Sequence, residues 1–193
     1  FDGKSPEQVN EDAKYQTRLL GAILLLELHG QQNRWAFDYN ELRTKLGLPI
    51  LGPIDPTAVD VSSVPLSRYA RLETPGLTLE QLADLLQYAS LMHAPAAIRV
   101  LGSELLSREY NVQEVGITKA SVYGLMARVA GSNQEALEFV EKAASEAAAA
   151  GESRARWLLA ELPLRIEMGD GQRAQELVET IQAKYSRAAG VMQ

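Results

Sequence analysis

Cysteine is absent from the 193 residues, so neither a disulfide nor a thiolate metal site can form. That absence leaves the compartment open, since both a reduced cytosol and an exported disulfide-free protein permit it. The cytoplasm is the default location. Histidine is nearly absent as well, with only His29 and His93. Each reads as lying near a helix end, where an imidazole can bond terminal carbonyls, and neither has a carboxylate at metal-ligand spacing. A basic surplus is also lacking. The net charge of −6 is the opposite of the face that nucleic acid recruits, and it suits an anionic membrane poorly. No apolar run is long enough to span a bilayer. The longest, Leu19 to Leu28, is about half the required length and contains Glu27. It reads as a buried helix, with Leu19, Leu20, Ile23, Leu24 and Leu28 covered by later segments and no membrane insertion.

Reactive constellations are missing too. No serine sits in a nucleophile elbow. Gly169-Asp170-Gly171 lacks the Lys and Ser/Thr of a phosphate loop and reads as a helix-helix turn. Asp38, Asp55, Asp60 and Glu73 are acids without a visible partner, which points to capping or solvation. The sequence therefore indicates no catalytic residue, no cofactor and no metal.

What is present is helical patterning. Ser5-Pro6 opens a helix that is expected to run to His29 and stop at Gly30, with Gln8 closing a capping box. Asp38 caps a second helix, Tyr39 to Leu46, ended by Gly47. Residues 1–47 thus form an N-terminal helix pair. Residues 48–76 carry five prolines among many aliphatics, so they read as an ordered connector lying on the helical body, with a short helix near Leu66–Leu72. The string Pro53-Ile54-Asp55-Pro56 reads as packed on that body rather than as a ligand for an aromatic groove.

From Thr78 the period becomes regularly helical. Residues 77–187 form three helical hairpins. They comprise Thr78–His93 with Ala96–Glu109, Thr118–Ala130 with Gln134–Ala150, and Ser153–Met168 with Gln172–Tyr185. Asn111–Gly116 reads as a loop, and Pro163 is expected to kink its helix. Residues 188–193 read as a frayed tail. The chain begins at Phe1 rather than Met, which leads us to expect a piece of a larger protein.

The second helices of the hairpins open alike, and Ala97, Ala136 and Ala174 recur 39 and 38 residues apart. A period in that range marks a helical solenoid. Tyr88, Ala97, Gly124, Ala136, Ala143, Trp157 and Ala174 resemble the small and aromatic positions of tetratricopeptide repeats, over roughly Thr78 to Tyr185. The period is longer than the usual length of about 34, Ile181 stands at a small position, and the closing prolines are absent. The resemblance implies an all-α fold in which antiparallel hairpins stack as a short right-handed superhelix. It also implies a concave groove lined by first helices. Thr118, Ser121, Leu125, Arg128 and Arg156 would face that groove, beside Leu79, Leu82 and Leu86. The partner-binding candidates are Leu82, Leu86, Ser121, Leu125, Arg128 and Arg156.

Three functions follow as expectations. The first is a non-catalytic interaction module that buries a protein or peptide partner in the groove, fixed by one or two arginines. The second is a structural domain that forms a homo-oligomer, with the Leu19–Leu28 helix pairing with another copy. The third is an enzyme with a site at the Pro-rich connector. A plain helical bundle without true repeats is the architectural alternative. The arginines and glutamates of Glu152–Arg173 read as solvated faces with local ion pairs.

Overall fold

The computed structural model describes residues 1–33 and 37–185. Described residues are all-helical, apart from an isolated parallel bridge between Ile54 and Leu72. The expected tail, 188–193, and the break at 34–36 lie outside the described residues.

The N-terminal segment holds two helices where one was expected. α1 is a single turn, Pro6–Val9, in which the Gln8 side chain accepts a hydrogen bond from the Ser5 N–H at 2.8 Å. The chain then turns at Asn10–Asp12, where the Asp12 carboxylate accepts from the Lys14 N–H. α2 follows, Ala13–Gln32. It passes through Gly30 instead of stopping there; Gly30 is buried, so packing overrides the local preference for a C-cap. α3 is Tyr39–Lys45, capped by the Asp38 carboxylate on the N–H groups of Asn40 and Glu41.

α2 packs on α3, and Leu19, Ile23, Tyr39, Leu46 and Leu48 form a small core of their own. Leu24 and Leu28, expected to be covered, are exposed, as are Leu25 and Leu26. A helix apolar on most faces is expected to be buried on several sides, but among the described residues α2 meets neighbours on one side only.

The connector is ordered through short 3-10 turns at Val61–Ser63, Leu66–Arg71 and Thr74–Gly76. Val61, Val64, Tyr69 and Leu72 enter the main core, and the Leu66–Arg71 turn packs on the helix Pro95–Ser107. Its acids serve local turns. Asp55 accepts from Thr57, which holds the carboxyl below the ordinary range, and Asp60 accepts from Ser62.

Seven more helices follow among the described residues: α4 Leu79–Leu91, α5 Pro95–Ser107, α6 Val112–Val115, α7 Lys119–Arg128, α8 Asn133–Ala149, α9 Ala155–Glu167 and α10 Gly171–Tyr185. α6 is one turn inside the segment read as a loop. Caps read from the sequence are made: Thr78 accepts from the Gln81 N–H, Thr118 from Ser121 and Ser132 from Glu135. Setting α6 aside, each of these helices packs on the next.

Small residues set the closest approaches. A Cβ on Gly102 of α5 would lie 2.7 Å from Met126 Sδ of α7, and one on Gly124 of α7 would lie 2.5 Å from Trp157 Cη2 of α9. At Gly124 the obstacle is a rigid ring, so no side chain fits at that spacing, whereas the flexible Met126 side chain can shift away from Gly102. α4 ends on His93, a non-glycine residue at φ +53°. Its N–H bonds the Ser90 carbonyl, and the next N–H reaches back to Ala89, which is a helix stop usually made by glycine.

Two charge networks join these pieces, and both are more buried than their sequence setting implies. Glu27 of α2 accepts from Arg43 Nη2 of α3 at 2.5 Å and from Arg71 Nη2 of the connector at 2.5 Å. Arg43 is 1 % exposed. Asn40 ties the same corner, accepting from Arg43 and from the Leu51 N–H while donating to the Leu51 carbonyl. In the second network, Glu161 is 4 % exposed and accepts from Arg165 and Arg173. Arg165 also reaches Glu141 of α8 and Asp170 of the following turn. Glu161 was expected on a solvated face; it lies instead where α8, α9 and α10 converge.

Candidate functional site

A groove of about 750 Å³ runs along α4, α7 and α9, the first helices of the three hairpins. Its floor is made of small and flat groups. Gly124 admits the Trp157 ring, and Ala136, Val140 and Ala160 leave depth beside it. Trp157 itself is buried, and its indole N–H has no hydrogen-bond partner.

The walls come from three helices. α4 supplies Gln87, Ser90 and Leu91, with Leu91 73 % exposed. α7 supplies Ser121, Leu125 and Arg128. α9 supplies Arg156, Pro163, Leu164 and Glu167. The backbone helix continues through Pro163, which is exposed on the groove side. A second cavity of about 350 Å³ shares Ser90, Leu125 and Arg128 with the first and extends it toward His93, Pro95 and Ile98.

Arg156 is held in place at the rim. Its Nη2 donates to Ser121 Oγ at 3.0 Å, and its guanidinium lies 4.0 Å from the centre of the Trp157 ring. Ser121 is fixed in turn by Thr118, whose hydroxyl donates to it at 2.9 Å. A planar guanidinium fixed by a stacking partner and one hydrogen bond keeps further N–H donors for a carboxylate or carbonyl.

The structure thus brings together Ser121, Leu125, Arg128 and Arg156 of the sequence-derived set. It separates Leu82 and Leu86, which are fully buried in the main core and cannot touch a ligand. The cause is the orientation of α4, which turns those leucines toward α5 and the connector. Leu91, Gln87 and Ser90 were missed for the same reason. The last turn of α4 is apolar on more than one face, so periodicity alone does not say which face is covered.

A third cavity, of about 560 Å³, lies at the Pro-rich connector beside Glu27, Tyr39, Arg71 and Glu73. Glu27 and Arg71 pair with each other and Asp38 caps α3, while the Glu73 carboxylate makes no capping bond to the turn it opens. Among the described residues no group of three or more His, Asp or Glu is arranged to hold a metal ion. Among the described residues no helix is long and apolar enough to cross a membrane.

Searched against known proteins, the chain matches no family model, no curated protein and no solved structure. Function is therefore argued from the groove.

Proposed function

We propose that this chain is a non-catalytic interaction module whose hairpins stack as a short tetratricopeptide-like superhelix, and that it binds a peptide segment of another protein in the groove of α4, α7 and α9. One observation carries the reading. The first helices of all three hairpins converge on a single apolar concavity with arginines at its rim. The groove volume lies within the range of sites that enclose drug-sized ligands or a few side chains, about 300–1,000 Å³. Leu91, Leu125, Ala160, Pro163 and Leu164 supply apolar area, and Arg128 and Arg156 supply donors for an acidic or carbonyl group. The lining contains no histidine, cysteine or paired carboxylates, which favours binding over catalysis.

The test is selection from a displayed random-peptide library on immobilised wild-type protein, with Arg128→Glu plus Arg156→Glu as the counter-target. The reading expects enriched peptides that combine apolar residues with an acidic residue and that bind the double variant at least about tenfold less tightly. Equal binding to both proteins refutes it.

A further inference from the structure

We infer that α2 is a self-association surface, and that two copies of the chain pair through antiparallel α2 helices centred on Leu25. The surface is separate from the groove. Leu25 is 70 % exposed, and Leu24, Leu26 and Leu28 are exposed around it. The four together leave the equivalent of about two whole leucine side chains in water, concentrated on one helix, where scattered single residues would be ordinary.

Charge decides what kind of partner fits. Between Arg18 and Asn33 the only charged residue is Glu27. Its carboxylate turns inward to Arg43 and Arg71, so it does not mark the outer face. A stripe about 20 Å long therefore reaches solvent without a charge. A strongly acidic or basic partner finds nothing there to pair with. An anionic lipid surface also finds no flanking lysine or arginine cluster, on a chain of net charge −6. An equally uncharged helix of equal length meets the requirement, and a second copy supplies it.

Shape points the same way. Gly21, Leu25 and Leu28 follow one another at helical spacing of four and three, with Ala22 beside them. A Cβ at Gly21 would meet nothing within 4 Å, so a second backbone has room to approach. A two-fold axis at Leu25 sets Leu28 of one copy opposite Ala22 of the other, and His29 opposite Gly21, while Leu24 and Leu26, about 100° to either side of Leu25, flank the seam. Large side chains thus face small ones on both sides of the axis, which is the self-complementarity an isologous contact requires. The two Arg18 residues fall at opposite ends. A strip of about 20 Å by 10 Å is small beside the roughly 800 Å² per partner of a standard interface, so the pair exchanges with monomer.

The absence of cysteine makes the geometry directly testable in the full chain. Sedimentation velocity between about 1 µM and 1 mM is expected to show a mass rising from 21.1 kDa toward twice that value. Leu25→Glu is expected to keep the helical circular dichroism and to remain monomeric throughout. Single Leu25→Cys protein is expected to cross-link to itself under mild oxidation, whereas Ser145→Cys, on the exposed side of α8, does not. A mixture of Ala22→Cys and Leu28→Cys proteins is expected to form the mixed dimer in excess of either self-pair. A monomer at every concentration overturns the inference, as does a dimer that survives Leu25→Glu. A monomer that binds phosphatidylcholine vesicles through α2 also overturns it.

Discussion

Gly124 gives the sharpest prediction about how the groove floor is built. A methyl group there would sit 2.5 Å from Trp157 Cη2 and 2.6 Å from Cζ3, roughly 1 Å inside ordinary contact. The obstructing atoms belong to a rigid ring that is itself buried, so they cannot swing aside as a flexible side chain would. Overpacking of this kind costs about 1–3 kcal/mol. Against it stands the gain of about 1 kcal/mol for replacing glycine by alanine inside a helix. Gly124→Ala should therefore lose about 1 kcal/mol net. Trp157→Leu removes the two clashing ring atoms and keeps an apolar side chain. In that background the clash vanishes and the helix gain remains, so Gly124→Ala should stabilise by about 1 kcal/mol. The change of sign is the signature, with a coupling of about 2 kcal/mol between the two sites. Urea denaturation followed by far-UV circular dichroism on the four proteins measures it. If Gly124→Ala stabilises both backgrounds equally, the Trp157 ring does not rest on α7 and the described groove floor is wrong.

Glu27→Gln leaves Arg43 buried without a counter-charge and should cost about 3–5 kcal/mol, measured by urea denaturation against the exposed control Glu152→Gln, which should stay within about 0.5 kcal/mol of wild type. Tyr110 supplies a pH test. Burial first, then the nearby Glu146 carboxylate and Tyr123, push its hydroxyl up to about 12. An unfolded tyrosine loses its proton near about 10, so between about pH 10 and 12 the unfolded chain has released a proton that the native protein still holds. The contribution of Tyr110 to stability is thus complete below about pH 10 and declines as pH rises toward 12. Denaturation midpoints should fall less steeply over that window in Tyr110→Phe than in wild type, and an identical slope contradicts the assignment.

The contrast between what was legible in the sequence and what was not follows from range. Helix caps are local, and Thr78, Thr118 and Ser132 announce their helices within three residues. The all-α class follows from the same periodicity. The placement of Ser121, Leu125, Arg128 and Arg156 in a groove rested on the resemblance to tetratricopeptide repeats, and the first three stand together because they lie at helical spacing on one short helix. Leu82 and Leu86 misled because α4 is apolar on two sides, and only its neighbours decide which side is core. The leucines of α2 misled in the opposite direction, since high apolar content says that a surface needs cover without saying that this chain provides it. The Glu27 network could not be read at all. Its partners stand 16 and 44 residues away, and nothing in the local pattern of Arg43 or Arg71 distinguishes them from solvated arginines. Glu161 is similar, because an i,i+4 pair with Arg165 looks the same on an exposed helix as at a three-helix junction.

We propose that α4, α7 and α9 form one binding surface. The most direct measurement is the amide NMR footprint of a peptide selected on the wild-type protein. The account predicts that its saturation shifts the signals of Gln87, Leu91, Leu125, Arg128, Ala160 and Leu164 together, leaves those of α2 unmoved, and disappears in the Arg128→Glu plus Arg156→Glu protein. A footprint on α2 or on the Pro-rich connector, with the groove signals unchanged, would contradict it.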